Sequence, residues 1–190
     1  MDKHCLARGG DLYPDILCTR LGEDAPATLT AIGSLAHLAQ RKTALFCSAR
    51  TPGHIILAAY DQAARWRDAG RCVISGFHSP VEKECLRILL RGRQPVIICL
   101  ARGVEGMRLP AEWKAAMADN RLLVLSPFPA SERRVTKSLA TDRNRLVAAL
   151  ADEVVFGHIT PGGHLDELRW LIVSWRVPQR VLSDGAELPS

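Results

Sequence analysis

The sequence predicts an α/β fold: an extended Rossmann-like domain with a mostly parallel sheet and helices on both faces. Short apolar runs alternate with segments of helical periodicity from residue 43 to residue 182. Such alternation is typical of consecutive βαβ units, which form an open parallel sheet. The chain has 190 residues, of which 47% are hydrophobic, and this size and composition suit one globular core.

The alternating region resolves into a series of strands and helices. Strands are predicted at 43–47, 71–75, 95–100, 121–125, 153–159 and 179–182. The clearest helix start is Ser-Pro-Val-Glu at 79–82, because serine at the cap, proline at the first position and glutamate at the third favour a capping box. Another helix is predicted to open at Asp142, with Thr141 as the competing cap, and the last long helix follows residue 163.

The chain is divided into three parts. Residues 1–40 are interpreted as an N-terminal extension packed on the core, residues 41–184 as the Rossmann-like domain and residues 185–190 as a tail. Within the extension, Tyr13-Pro14 predicts a turn, 27–32 a strand, and the residues up to Gln40 a short helix.

The composition favours a cytoplasmic protein. No run approaches the roughly 18–20 uncharged apolar residues of a membrane span, and the polar start is unlike a signal peptide, so no membrane association is expected. The six cysteines are scattered without a C-x-x-C pair, which favours buried reduced thiols over disulfides or a metal site. No cofactor is expected. The net charge of +5 and the pI near 9.1 allow an acidic partner without requiring one.

The loops that follow the predicted strands are the expected ligand site. In open parallel sheets, ligands bind beyond the carboxyl ends of the strands, near the topological switch point. The loops at 48–53, 76–79, 101–109, 126–138 and 160–163 carry glycine, arginine or lysine, and five Lys or Arg stand against two acids between residues 131 and 145. The sequence therefore predicts a phosphate-bearing ligand at this edge.

Four candidate ligand contacts follow the first two strands. Ser48 and Arg50 lie in the first loop, where the guanidinium can bind a phosphate through two hydrogen bonds; an ordinary turn with a solvated arginine is the alternative. Ser75 and Gly76 follow the second strand, where Gly76 allows a tight turn and Ser75 can present a hydroxyl. Ser79 is better explained as a helix cap. The sequence contains neither G-x-G-x-x-G nor a Walker A motif, which disfavours NAD-dependent enzymes and P-loop ATPases.

Further candidates lie near two predicted helix starts. Arg143 and Arg145 are two residues apart and cannot share one helix face, so one is expected to meet the ligand while the other pairs with a carboxylate inside the protein; two solvated arginines are the alternative. Gly162 and Gly163 form a Pro-Gly-Gly turn that permits close backbone approach to a phosphate. Two acids in the following helical turn would repel a phosphate, and a purely structural turn is the alternative.

Taken in order, these segments resemble the DprA/Smf family of DNA-processing proteins, from Tyr13-Pro14 to Leu182. The family's V-G-S-R-x-P is matched by Cys-Ser-Ala-Arg-Thr-Pro at 47–52, and its S-G-x-A-x-G-I-D by Ser-Gly-Phe-His-Ser-Pro-Val-Glu at 75–82. Its R-N-R and D-x-V-V-V strand are closely kept as Arg-Asn-Arg at 143–145 and Asp-Glu-Val-Val-Phe at 152–156, whereas its S-G-S-L-I-T-A is faint at 162–168.

The resemblance implies an extended Rossmann fold that binds single-stranded DNA and helps to load a strand-exchange recombinase during transformation. In that family, an arginine of the first motif and a lysine upstream of R-N-R hold the backbone of the strand, and these positions fall on Arg50 and Lys137. An aromatic such as Phe128 could stack a base, although a core position is equally compatible. A homodimer through an exposed apolar edge of the sheet is a further possibility.

The departures from the family pattern leave the ligand open. The chain stops at Ser190, so the winged-helix domain that often follows in this family is not expected. The residue changes fall in ligand-facing loops, so a free nucleotide in place of a DNA strand, bound by a nucleotide-sensing module, is the first alternative.

A LOG-type nucleoside monophosphate hydrolase is the second alternative. Those enzymes resemble this chain in having P-G-G before a helix, but their P-G-G-x-G-T-x-x-E has Arg169 here in place of the glutamate. Glu167 is two residues early, which turns it roughly 200° around the helix. The sequence therefore favours a non-catalytic protein that binds single-stranded DNA.

Overall fold

The computed structural model describes residues 3–182, and the expected tail at 185–190 lies outside them. Its strands are β1 (Lys3–Ala7), β2 (Thr28–Gly33), β3 (Lys42–Cys47), β4 (Cys72–Ser75), β5 (Val96–Cys99), β6 (Leu122–Ser126), β7 (Glu153–His158) and β8 (Gln179–Val181). Its α-helices are α1 (Asp15–Leu21), α2 (Gly53–Asp68), α3 (Pro80–Leu90), α4 (Ala111–Ala118), α5 (Lys137–Leu150) and α6 (His164–Ser174). Short 3₁₀ helices occupy Gly22–Asp24 and Leu35–Ala39.

The strands described form one sheet in the order β1-β2-β6-β5-β4-β3-β7-β8. β1 and β2 run antiparallel to their neighbours, and the other strands pair in parallel. The central strand β3 pairs with β4 on one side and with β7 on the other. The strand order therefore reverses between β3 and β7, and the topological switch point lies there.

Helices cover both faces of the sheet. On one face, Leu17 of α1, Leu146 of α5 and Ile172 of α6 pack with Phe46 and Phe156, whose rings stack with centroids 5.7 Å apart. On the other face, α2, α3 and α4 pack against the alternate residues of the same strands. Side chains of successive strand residues point to opposite faces, so β3 to β7 are buried on both sides, whereas the edge strand β8 is partly exposed. The predicted α/β fold is confirmed.

The N-terminal region contributes directly to the sheet. β2 matches the strand predicted at 27–32, but β1 was not predicted, because Leu6 is its one buried residue and it lacks an apolar run. Arg20 of α1 donates from Nη1 to the carbonyls of Ala149 and Ala151, at 2.9 and 2.7 Å, and so satisfies the end of α5. The division of the chain into an extension and a core stays a prediction.

The start of α5 corrects a prediction. The helix begins at Lys137, not at Asp142, and its cap is Thr136, whose Oγ1 accepts a hydrogen bond of 3.2 Å from the Leu139 N–H. The irregular segment before it therefore ends at residue 136. Because Arg143 and Arg145 lie inside the helix, the unpaired N–H groups of a helix start are not beside them, and Lys137 takes that place instead.

The cysteines are free, and most of them are interior. Cys47, Cys72, Cys85 and Cys99 are buried, as expected, whereas Cys5 is exposed and departs from the expectation. Burial raises the pKa of the Cys72, Cys85 and Cys99 thiols to about 12, which makes them poor nucleophiles at neutral pH. Among the helices in residues 3–182, none has the length and apolar character needed to cross a bilayer.

Candidate functional site

The loops after β3 and β7 are joined across the switch point by Ser48. Its backbone N–H and its Oγ both donate to the carbonyl of His158, at 3.2 and 3.0 Å, and its Oγ accepts from the N–H of Thr160 at 3.3 Å. Thr51 in turn donates from Oγ1 to the Ser48 carbonyl at 2.7 Å. Ser48 thus fixes the spacing of these two loops, which form the two walls of a crevice at the switch point.

Arg50 lies at the outer rim of this crevice. It is exposed and stands two residues beyond Ser48, in the loop that leads into α2. The loop that carries it is held by the hydrogen bonds of Ser48 and Thr51. An exposed arginine on a strand-to-helix turn at the switch point is chemically suited to a phosphate contact.

A buried carboxylate, Glu82, joins the loops after β3 and β4. The predicted capping box is confirmed, with Ser79 Oγ accepting from the Glu82 N–H at 3.2 Å and Glu82 Oε2 accepting from the Ser79 N–H at 3.2 Å. Oε2 also accepts from the His78 N–H at 2.8 Å, and Oε1 accepts from the Cys47 N–H at 2.9 Å. A side chain that is 6% exposed therefore satisfies three backbone donors, one at the end of β3 and two in the loop after β4.

The loop after β4 is tightly constrained. Ser75 is fully buried, donates from Oγ to the Leu45 carbonyl at 2.8 Å and accepts from the Phe77 N–H at 3.2 Å. Phe77 is buried and has φ of 45°, a left-handed conformation that strains a bulky residue by roughly 1–3 kcal/mol. The structure therefore places the Ser75 hydroxyl in the interior of the protein, away from the rim where Arg50 lies.

Arg143 reaches from α5 into the space above Gly76. A Cβ on Gly76 would lie 1.3 Å from Arg143 Nη1, so glycine is needed at this position. Arg143 is 4% exposed and donates from Nη1 to the Cys99 carbonyl at 3.2 Å and from Nε to Asn144 Oδ1 at 2.8 Å. Desolvation lowers the pKa of Arg143, while the charge of Glu82 raises it. Of the two arginines near residue 144, this is the one that pairs inside the protein.

The Pro-Gly-Gly turn opens α6 at the other side of the crevice. Gly162 has φ of 68°, which favours glycine, and the Gly163 N–H donates to the Thr160 carbonyl at 3.0 Å. The Gly162 N–H donates to Asp166 Oδ2 at 3.1 Å. A phosphate at this turn would compete with the Asp166 carboxylate, so the turn is a weaker anion site than its glycines alone predict.

Lys137 and Arg145 lie on the exposed side of α5. Lys137 is the first residue of the helix and is exposed. The Arg145 side chain is 44% exposed, and its Nη1 lies 3.9 Å from Asp24 Oδ2. Surface ion pairs of this kind contribute about 0–1 kcal/mol, so Arg145 can exchange this partner for a ligand.

The predicted site residues therefore fall into two sets. Ser75, Gly76 and Arg143 form an inner set beneath the crevice, together with Glu82; Arg50, Lys137 and Arg145 form an outer set at its surface. Ser48, Gly162 and Gly163 shape the walls between them.

Glu82 and Trp170 were not among the predicted site residues. Glu82 was predicted only as part of a cap, because the sequence does not show that Cys47 lies beside α3. Trp170 falls outside the buried stripe of α6 that contains Leu168 and Ile172, and it is 72% exposed. Its position off the stripe was the available signal.

The residue that the hydrolase alternative needs is open to solvent. The Glu167 side chain is 77% exposed, and its Oε2 lies 4.0 Å from His164 Nδ1. Catalytic carboxylates with tuned acidity usually lie in apolar or enclosed surroundings. The position of Glu167 does not provide such surroundings.

Solved structures with the same fold include two DNA-processing proteins. DNA processing protein A from Helicobacter pylori has a TM-score of 0.75 and 20% identity, over 96% of this chain and 81% of that one. DNA processing protein A from Streptococcus pneumoniae has a TM-score of 0.78 and 18% identity, over 95% of this chain and 63% of that one, so this chain spans less than two thirds of that relative. The molybdenum cofactor binding protein from Rippkaea orientalis is less similar, with a TM-score of 0.53 and 11% identity, over 75% of this chain and 76% of that one.

At these identities the structural similarities establish the fold alone. A comparison with curated proteins finds no match. The family evidence is in the sequence itself, because the profile of the family DNA recombination-mediator protein A matches residues 4–160, which is most of a chain of 190 residues. This chain therefore belongs to the DNA recombination-mediator protein A family.

Proposed function

We propose that this protein binds single-stranded DNA through its phosphate backbone and acts in DNA uptake or recombination. The observation that carries the proposal is the exposed Arg50, on an ordered loop at the switch point of the sheet. A guanidinium in this position can hold a backbone phosphate without reading the sequence of bases. Phosphate contacts of this kind give affinity for any single strand.

The relatives support the same ligand class. DNA processing protein A from Helicobacter pylori binds single-stranded DNA, and the family is one of DNA recombination mediators. The names of this relative and of the family both refer to DNA. In residues 3–182, no feature specifically favours a free nucleotide as the ligand. Single-stranded DNA is therefore the ligand that we assign to this chain.

The proposed contacts are made by the outer set. Arg50 and Lys137 hold successive phosphates, Arg145 extends the positive surface, and the backbone at Gly162 and Gly163 approaches the strand closely. Ser48 holds the two walls apart. The inner residues Ser75, Gly76 and Arg143 support these loops and do not touch the strand.

The partners and location follow from the same proposal. A strand-exchange recombinase is the proposed protein partner, because a recombination mediator acts with a recombinase.

Val181 on the edge strand β8 is 42% exposed and supports a homodimer through that edge. Free thiols support a cytoplasmic location. Sedimentation velocity of Val181→Lys tests the dimer, and co-precipitation with purified recombinase tests the partner.

Oligonucleotide binding at several salt concentrations tests the main proposal. Fluorescence anisotropy with labelled oligothymidylate should show affinity that falls steeply with salt, with a slope of log K against log salt of about −0.7 for each phosphate neutralised. Arg50→Ala and Lys137→Ala should each weaken binding and make the slope shallower by about 0.7.

Arg87→Ala is the matched control for the loss of an arginine. The Arg87 side chain is 64% exposed on α3, where it pairs with Glu84, away from the outer set. This variant should bind like the unaltered protein. Absence of binding at low salt, or equal losses for Arg87→Ala and Arg50→Ala, would overturn the proposal.

A further inference from the structure

A cleft of about 620 Å³ runs between α5 and α6, beside the proposed DNA site. Helix α5 contributes polar groups and a cation to it, and helix α6 contributes an aromatic ring, aliphatic groups and an ion pair. Its lining residues are Thr141, Asn144, Arg145, His164, Glu167, Leu168, Trp170, Leu171 and Ser174. This mixture of a flat apolar group with polar groups suits a planar heterocyclic ring better than it suits an aliphatic chain.

Trp170 is the flat apolar group of this cleft. Its side chain is 72% exposed, while its neighbours Leu168 and Ile172 are buried against the sheet. The indole therefore gains little from packing within the fold and presents surface to the cleft. Exposed aromatic rings of this kind are the platforms on which proteins stack unpaired nucleobases.

Asn144 supplies an oriented polar group. Its Oδ1 accepts from Nε of the buried Arg143 at 2.8 Å, which leaves its NH₂ group as the donor available to the cleft. Because Arg143 is itself fixed over Gly76 and the Cys99 carbonyl, Asn144 is held in place from inside the protein. Amide donors of this type pair with the acceptor atoms of base edges.

A polar ridge on α5 joins the proposed phosphate site to the cleft. Lys137, Thr141 and Arg145 are spaced four residues apart and lie on one side of the helix. They span about 12 Å of helix, from the first turn to the cleft wall. Thr141 donates from Oγ1 back to the Lys137 carbonyl at 3.1 Å. A strand held at Lys137 can therefore follow this ridge to Arg145 and Trp170.

We propose that the α5–α6 cleft receives a nucleobase of the bound single strand, stacked on Trp170. Arg145 contacts the phosphate beside that base, and the Asn144 amide donates to the base edge. This inference rests on the proposed function, because it needs a strand at Lys137. It assigns to this chain a base-binding subsite on α6, away from the loops that hold the phosphates.

A second copy of the chain is the competing occupant of this face, because Val173 on α6 is also 51% exposed. The arginine and the polar ridge favour nucleic acid, since a self-association surface of two α6 helices would not use the ridge on α5.

The test compares two ligands and three variants. The ligands are an oligothymidylate and an abasic oligomer of equal length, which keeps the phosphates and lacks the bases. Trp170→Leu should weaken binding of oligothymidylate by roughly 5- to 150-fold and leave binding of the abasic oligomer unchanged. Trp170→Phe keeps an aromatic ring and should retain most of the affinity. Trp113→Leu, on α4 at the opposite face, is the control for loss of a tryptophan.

The outcomes separate this inference from the proposed function. If both ligands bind with the salt dependence set by Arg50 and Lys137, and Trp170→Leu affects neither or both equally, the subsite is refuted and the proposed function stands. If Trp170→Leu instead converts a dimer to a monomer in sedimentation velocity without changing the preference for bases, the cleft is an interface between copies and the inference is refuted. If the unaltered protein binds no oligonucleotide, both are refuted.

Discussion

The charged residues of the inner set are buried, whereas those of the outer set are exposed to solvent. Glu82 and Arg143 are buried, at 6% and 4% exposure, and each makes hydrogen bonds to backbone groups or to a neighbouring side chain. Arg50 and Lys137 are exposed and stand on loops or helix ends that the inner set supports. Removing the partner of a buried charge lowers stability strongly, whereas an exposed charge can exchange water for a ligand.

This contrast predicts that Arg143, although it belongs to the R-N-R motif, supports the loops and does not touch the ligand. Its guanidinium connects α5 to Gly76 after β4 and to the carbonyl of Cys99 at the end of β5, whereas Lys137 is exposed at the start of the helix. The inner set determines where the outer cations are held. Substitutions in the inner set should therefore mainly lower stability, whereas substitutions in the outer set should mainly weaken DNA binding.

The largest expected effect is on Glu82. Glu82→Ala leaves the N–H groups of Cys47 and His78 without their acceptor and removes the negative charge beside Arg143. The free energy of unfolding should fall by about 3–5 kcal/mol, measured by urea denaturation. Glu84→Ala is the matched control, because that carboxylate is partly exposed and forms a surface ion pair with Arg87, so about 0–1 kcal/mol is expected.

Equal losses for the two variants would contradict the role of Glu82. If Glu82→Ala does not fold, Glu82→Gln provides the measurement. It keeps one acceptor oxygen and the side-chain shape, and it should fall between the alanine variant and the unaltered protein.

A smaller loss is expected at Gly76. Gly76→Ala would place a methyl group against the Arg143 guanidinium, and displacement of that side chain should lower the free energy of unfolding by about 1–3 kcal/mol. Gly53→Ala is the control, because a Cβ there meets no atom within 4 Å. Combining Gly76→Ala with Arg143→Ala should give less than the sum of the single losses, since the second change makes room. Additive losses would show that the contact does not limit stability.

The smallest effect on stability is expected in the outer set. Arg50→Ala and Lys137→Ala should change the free energy of unfolding by no more than about 0.5 kcal/mol, although both weaken DNA binding. The same urea denaturation checks this. A loss comparable to that of Gly76→Ala would show that the outer cations also hold the fold, and the separation of the two sets would fail.

The layout of the sheet could be predicted from the sequence because it depends on local patterns. The parallel strands are apolar runs, and the helix at Pro80 begins with its own capping signal. β1 was missed because Lys3 and its neighbours are mostly exposed on an edge strand and carry no periodic apolar signal. The start of α5 was misplaced because Thr136 follows a basic irregular segment, and its capping bond to Leu139 becomes visible only in the structure.

The division of the site residues into an inner and an outer set could be predicted only in part. The spacing of Arg143 and Arg145 predicted that the two would lie on different sides of the helix, but which one turns inward depends on Gly76, which is distant in sequence. The link from Glu82 to Cys47 likewise depends on the packing of α3 beside β3. Such contacts between distant segments are set by the tertiary fold, which a single sequence does not display.

The order of the strands has a consequence for synthesis of the chain. β2 pairs with β6, so Thr30 lies opposite Ser126, and the central strand β3 pairs with β7. At translation rates of 5–20 residues per second, β2 leaves the ribosome roughly 5–20 s before its inner neighbour is made. During that interval the apolar face of β2 has no sheet to join. The nascent N-terminal region is therefore the segment of this protein that chaperones are expected to protect, and a ribosome-bound fragment ending before β6 should be more sensitive to protease there than the finished chain.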